Sequence, residues 1–310
     1  MARKRSTRGG QSAAKDSSSK AAKTTKPETI KATETKKAPA KAAKSVETKV
    51  MGAASPAEKT NAFKSFFAKK YEGKENVDSL FGSPKLVAAL VAEILGSFIL
   101  VMVTLTTQAS PLFVMFGVLA AALLAYKISG AMLNPVVTLG ALVTRRISAI
   151  RALFYIIAQV LGAMLAYIAL KAFLGAAVED SMTGAPTIYS MISIPEGRLG
   201  LVFAIEVIGA AIITLFFARA IQSRKSLYTF GAIFAGGVFA ATIFAMSASS
   251  YIGTGFAINP ALAVAMEAFT KVPENFGVNA LAYIVAPLIG GIIGFIVSDL
   301  MTRAANAQEA

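Results

Sequence analysis

The chain has 310 residues, is 55% hydrophobic and carries a net charge of +14, the profile of a membrane protein with a soluble appendage. It contains neither Cys nor His, which excludes disulfides, thiol nucleophiles, zinc clusters of the usual ligands and the commonest general base. The charge is unevenly placed: residues 1–85 hold 20 Lys/Arg against 8 Asp/Glu, and the other 225 hold 11 against 9.

Residues 1–60 are rich in Lys, Ala, Thr and Ser and nearly empty of aromatic and branched apolar side chains. Such a segment cannot bury enough apolar surface to offset its ordering entropy, so a disordered, solvated, cytoplasmic tail is expected. Anionic lipid headgroups are a second possible contact for so many cations. Nucleic acid is not an expected partner, because no aromatic or motif context accompanies the lysines. The basic first thirty residues lack an apolar core, so no signal peptide is expected. Residues 61–82 differ. Phe63, Phe66, Phe67 and Tyr71 recur at helical spacing between Lys64, Lys69 and Lys70, which suits an amphipathic juxtamembrane helix, in the interface or against the membrane domain.

The membrane domain is expected over residues 83–304, with a short tail at 305–310. Ser83-Pro84 reads as an N-cap with Pro at N1. Six full spans follow, at about Pro84–Thr106, Pro111–Ser129, Ala149–Leu174, Leu199–Ile221, Phe230–Ser250 and Asn279–Met301, each long and apolar enough to cross a bilayer. Two shorter apolar runs sit after spans two and five. The first is opened by Asn134-Pro135-Val136 and ends at Arg145-Arg146; the second is opened by Asn259-Pro260-Ala261 and ends near Lys271. About ten residues at 1.5 Å rise give roughly 15 Å, half a hydrocarbon core. Pro at the first turn therefore marks two half-helices that enter the membrane and turn back.

The two halves repeat one another. Tyr155-Ile156-Ile157-Ala158-Gln159-Val160-Leu161-Gly162 in span three parallels Tyr283-Ile284-Val285-Ala286-Pro287-Leu288-Ile289-Gly290 in span six. Spans one and four each place one carboxylate, Glu93 and Glu206, soon before a glycine. Three spans per copy is an odd number, so the second copy lies upside down, an arrangement used in transport. Small residues such as Gly162, Ala163, Gly290, Gly291 and Gly294 suit close helix approach. Arg145, Arg146 and Arg151 after span two, and Arg219, Arg224 and Lys225 after span four, put those loops and both termini on the cytoplasmic side. The loop after span three carries Glu179, Asp180 and Glu196 against Arg198 alone.

Placed nose to nose, the half-helices would meet with their N-termini at the bilayer centre, where dipoles and unpaired N–H groups favour an oxygen and disfavour cations. Asn134 and Asn259 would then be held by backbone while their amides donate into a lumen. Glu93 and Glu206 have two readings: a proton relay, or acceptors for the exposed N–H groups of re-entrant backbone. Gln159 is read in the same way, as scaffold or as pore lining. Lys127 either lines the inner vestibule or snorkels at a helix end.

With its paired Asn-Pro boxes, Ile128-Ser129-Gly130-Ala131 before the first and Thr254-Gly255-Phe256-Ala257 before the second, the chain resembles the aquaporin and glycerol-facilitator family over roughly residues 84–304. The resemblance implies an all-α membrane fold, a right-handed bundle of six transmembrane helices plus two re-entrant half-helices in an inverted repeat. It also implies one pore per subunit, a homotetramer, and a loop-supporting role for Glu93 and Glu206. The pore centre would comprise Asn134, Pro135, Val136, Asn259, Pro260 and Ala261. Counting from the boxes puts the selectivity filter at Val114, Ser247, Phe256 and Leu262. In that family the last position is normally arginine, and glycerol channels tend to carry aspartate where this chain has Ala263. A filter without fixed positive charge is thus expected to be wider and more apolar than in strict water channels.

The function expected is a passive channel in the cell membrane for water and small uncharged solutes such as glycerol, without cofactor or metal and without enzymatic activity. One alternative is an inverted-repeat secondary transporter using Glu93 and Glu206; another is a closed, structural protein of the same fold.

Overall fold

Six helices of the computed structural model are long and apolar enough to cross a membrane. The structure describes residues 84–174, 188–190, 193–223, 226–266 and 275–308, all within one compact unit, residues 54–310. The expected disordered tail, the amphipathic segment at 61–82 and the end of the second short run near Lys271 lie outside the described residues.

Helices α1 (Pro84–Thr106), α2 (Pro111–Ser129) and α4 (Ala149–Leu174) have the expected bounds. Helix α5 runs Leu199–Ser223 and α6 runs Leu227–Ile252, a few residues beyond expectation. Each boundary has a local cause. Pro111 sits at the first turn of α2, and Ser226 caps α6 by accepting the Thr229 N–H at 3.0 Å. Gly130 (φ 92°) ends α2 and Gly253 (φ 75°) ends α6 in the left-handed region that glycine adopts without a steric penalty. The sixth span is composite: α8 (Phe276–Ala280), a π turn (Leu281–Val285) and α9 (Ala286–Gln308). Pro287 has no N–H to bond the preceding turn and its ring crowds that turn's carbonyl, which accounts for the widened winding just before it.

Between the spans lie α3 (Pro135–Val143) and α7 (Pro260–Ala265). Nine residues make α3 about 14 Å long, and α7 is described for six. Neither is long enough, over its described residues, to cross a membrane. Following neighbouring contacts, the spans form a ring in the order α4, α1, α2, α6, α5, α9. The half-helices fill the remaining side, α3 against α9 and α7 against α4, and they touch one another. Large apolar side chains such as Phe113, Phe116 and Leu153 are exposed on the outside, as lipid-facing positions require.

The repeat seen in the sequence is a repeat of contacts. A Cβ on Gly162 would run into the carbonyl of Ile94, the residue after Glu93; one on Gly290 would run into the carbonyl of Val207, the residue after Glu206. Gly96 and Gly209, each three residues past its carboxylate, make room for Leu133 and Ile258, each one residue before its Asn-Pro pair. At the far end of α3, Arg146 pairs with Asp299 of α9 at 2.5 Å and lies over the Phe295 ring.

Candidate functional site

Each Asn-Pro pair opens its half-helix in the same way. Asn134 and Asn259 are extended N-caps, with φ near −151° and −153°, and a proline follows each. Asn134 Oδ1 accepts the Val136 N–H at 2.9 Å; Asn259 Oδ1 accepts the Ala261 N–H at 3.0 Å. The cap therefore fixes each side-chain oxygen and leaves the NH₂ to point elsewhere. For Asn134 one of those protons goes to the carbonyl of Ile258 in the other half, at 3.1 Å. That bond takes up one of the amide protons expected to donate into a lumen. Pro135, Val136, Pro260 and Ala261 are buried behind the asparagines.

The residues leading into each box are held in the left-handed region although they are not glycines: Ala131 (φ 52°) and Leu133 (φ 58°) in the first, Ile258 (φ 44°) in the second. For a β-branched residue such as Ile258 that conformation is strained and needs support. The buried carboxylates supply it. Glu93 accepts the Met132 N–H at 3.0 Å, the Leu133 N–H at 2.8 Å, the Ser129 hydroxyl at 2.5 Å and the Gln159 amide at 2.8 Å. Glu206 accepts the Ala257 and Ile258 N–H groups, both at 2.6 Å. Of the two readings of these glutamates, the geometry is that of loop support. Gln159 belongs to the scaffold of the first copy, bonded also to Thr138. Its counterpart in the aligned second copy is Pro287, which explains why Glu206 is served by fewer donors.

Both asparagines line one cavity, with an empty volume of about 500 Å³ counted to its open mouths. Leu100, Val101 and Thr104 of α1, Val114 and Val118 of α2, Ile213 of α5, and Phe234, Val238 and Thr242 of α6 form its walls. Leu133 and the segment Phe256 to Asn259 complete it, together with Leu262. No lining residue carries a charge. Thr104 and Thr242 donate to the carbonyls of Leu100 and Val238, at 2.8 and 2.7 Å, so each hydroxyl keeps lone pairs for a guest. The cavity therefore offers amide donors and hydroxyl acceptors in a mostly apolar wall, a combination that handles neutral hydroxylic molecules.

Of the four expected filter residues, Val114, Phe256 and Leu262 line this cavity, each about 5% exposed or less. Ser247 does not; it is exposed, and the lining face of α6 is Phe234, Val238 and Thr242. Ser247 stands five residues past Thr242 on the same helix, and five residues at 3.6 per turn carry a side chain about 140° around from the lining face. Lys127 is exposed at the last turn of α2 and does not line the cavity.

Tyr189 was not singled out by the sequence. Its hydroxyl donates to the Phe256 carbonyl at 2.9 Å and accepts the Phe256 N–H at 2.8 Å, clamping the residue that faces the cavity. Burial pushes its phenol above the ordinary value, so it stays a donor. Tyr189 sits in a loop without helical period, where nothing in one sequence distinguishes it from a spacer residue.

A family model described as Major intrinsic protein matches residues 80–298. The chain is similar to the glycerol uptake facilitator protein-like 6 of Lactiplantibacillus plantarum, at 31% identity over 224 residues, 68% of this chain and 96% of that protein. It is 33% identical to aquaporin-1 of Mus musculus over 174 residues, 56% of this chain and 60% of the relative. Among solved structures, the aquaglyceroporin from Plasmodium falciparum shares the fold, with a TM-score of 0.53 and 20% identity over 68% of this chain and 93% of that one.

Proposed function

This chain belongs to the major intrinsic protein family, and on that premise we propose that it is a passive transmembrane channel for water and small uncharged solutes such as glycerol. Members of the family are channels and not enzymes. The observation that carries the proposal is that Asn134 and Asn259, capping two half-helices from opposite halves of the chain, line one uncharged cavity. A solute oxygen there meets amide protons and two helix N-termini, which a cation does not tolerate well. Val114, Phe256 and Leu262 make the filter apolar, so size and dehydration select among neutral solutes. Exclusion of cations and protons then falls to the pore centre. The basic loops support a reading with both termini in the cytoplasm, and the resemblance to the family supports an assembly of four copies.

Secondary transport is disfavoured because it needs titratable groups at the substrate, whereas Glu93 and Glu206 spend their oxygens on loop N–H groups and do not line the cavity. Stopped-flow light scattering on purified protein in liposomes, under water, glycerol and urea gradients, tests the proposal. Flux above that of empty vesicles, without an imposed ion gradient, is expected. Dependence on a proton or sodium gradient would replace the channel with a transporter, and no flux from intact oligomers would favour the closed structural alternative.

A further inference from the structure

Aromatic side chains gather at the Arg146 end of the helices that wall the cavity. On α2, Val114 and Val118 line the cavity, and steps of four along the helix carry that stripe past Ala122 to Tyr126. On α6, Thr242, Val238 and Phe234 line it, and one further step reaches Phe230. At that level Tyr126 and Phe230 stack, with ring centroids 3.9 Å apart and planes 22° from parallel. Rings so close are in van der Waals contact, and no water fits between them. Phe230 is 1% exposed. It is held by Phe217 of α5 edge-on at 5.6 Å and by Phe234 at 5.9 Å, and Phe217 in turn meets Phe295 of α9. Phe230 thus touches both helices that flank α6 in the ring, α2 and α5, so its side chain faces the interior and not the outer surface.

We propose that Tyr126 and Phe230 form a second constriction of the conduit, at the Arg146 mouth, and that this ring pair limits passage more tightly than the outer residues Phe256 and Leu262. The assignment rests on the channel reading above. The two rings are unequally held. Phe230 is packed among aromatic side chains from three helices, whereas Tyr126 is partly exposed in the last turn of α2, beside the Gly130 cap. Rotation of the Tyr126 ring therefore opens the passage at lower cost than displacement of Phe230.

The test compares wild type with Phe230→Leu, Tyr126→Leu and Tyr126→Phe in liposomes. Loss of either ring is expected to raise water permeability at least about fivefold, and Tyr126→Phe, which keeps the ring, to match wild type. Equal permeability in all four, above that of empty vesicles, overturns the assignment. A second readout needs no conducted solute, because the chain has no cysteine of its own. In Val238→Cys, a membrane-impermeant thiol reagent applied at the Arg146 face is expected to react only when Tyr126→Leu or Phe230→Leu is also present. Reaction with both rings intact overturns the constriction. Reaction that requires ring removal, with no solute flux from any variant, supports the constriction and counts against the channel reading instead.

Discussion

The side-chain amide of Asn134 donates to the backbone carbonyl of Ile258 at 3.1 Å, across 124 positions of chain. Ile258 is thereby held from two sides, since its own N–H is bonded to Glu206 at 2.6 Å. The bond joins the two halves at the point where both half-helices begin. Asn134→Asp keeps an N-cap of equal quality but replaces the donor with a carboxylate oxygen facing that carbonyl. Loss of one such bond with repulsion in its place costs about 1–3 kcal/mol. The expected outcome is a lower melting midpoint in detergent together with reduced water permeability. Unchanged values on both measurements would show that the two halves are joined by other contacts.

Glu206 and Glu93 differ in how many donors they satisfy, and the prediction follows from that count. Glu206→Gln keeps one acceptor oxygen and turns an NH₂ toward a buried N–H, leaving Ala257 or Ile258 unpaired. One such buried group costs about 1–3 kcal/mol. Glu93→Gln disturbs the Met132 and Leu133 N–H groups and also the Gln159 amide, so it is expected to be the more damaging. Loss of the monodisperse peak on heating, followed by size-exclusion chromatography, ranks the two. Wild-type thermal stability in both would remove the loop-support role.

Tyr189→Phe deletes a hydroxyl that both donates to and accepts from Phe256. The fold has no other reason to change, because the ring remains. We expect the melting midpoint to fall by the equivalent of about 1 kcal/mol and the ratio of glycerol to water permeability to shift as Phe256 loosens. Since burial raises the phenol above its ordinary value, the clamp is complete below the unfolded phenol's value of about 10 and weakens only as pH rises through the higher folded value. Wild-type selectivity should therefore be flat between about pH 6 and 9 with respect to this group. A selectivity ratio identical in Tyr189→Phe would reduce Tyr189 to packing.

Leu262 lines the cavity and is 4% exposed. Leu262→Arg places a fixed cation in an uncharged passage and fills part of it. Glycerol permeability is expected to fall about tenfold, and any cation leak to fall with it, because an uncompensated charge in a narrow lumen repels its own sign. Paired glycerol and ion-flux assays on the same vesicles provide the check. Equal glycerol and ion permeability in both proteins would sink the apolar-filter account.

Much of this molecule was legible in its residues alone. Apolar run length gave the six spans, because a bilayer imposes a length on any helix that crosses it. Proline at the first turn gave the half-helices, whose asparagines then had only backbone to cap. The matched placement of Glu93 and Glu206 announced the repeat, since in lipid every re-entrant N–H needs an acceptor. These are local or length-based constraints, so one chain of letters carries them.

Tertiary structure decided what depends on residues far apart. That Asn134 bonds Ile258, that Tyr189 clamps Phe256, and that Tyr126 meets Phe230 follow from how helices lean together, which no spacing encodes. Ser247 shows the same limit from the other side. Its expected place came from counting along the chain, but on α6 it stands about 140° around the helix from Thr242, which lines the cavity. Sequence distance sets direction only while the chain stays helical; beyond a loop, packing sets it.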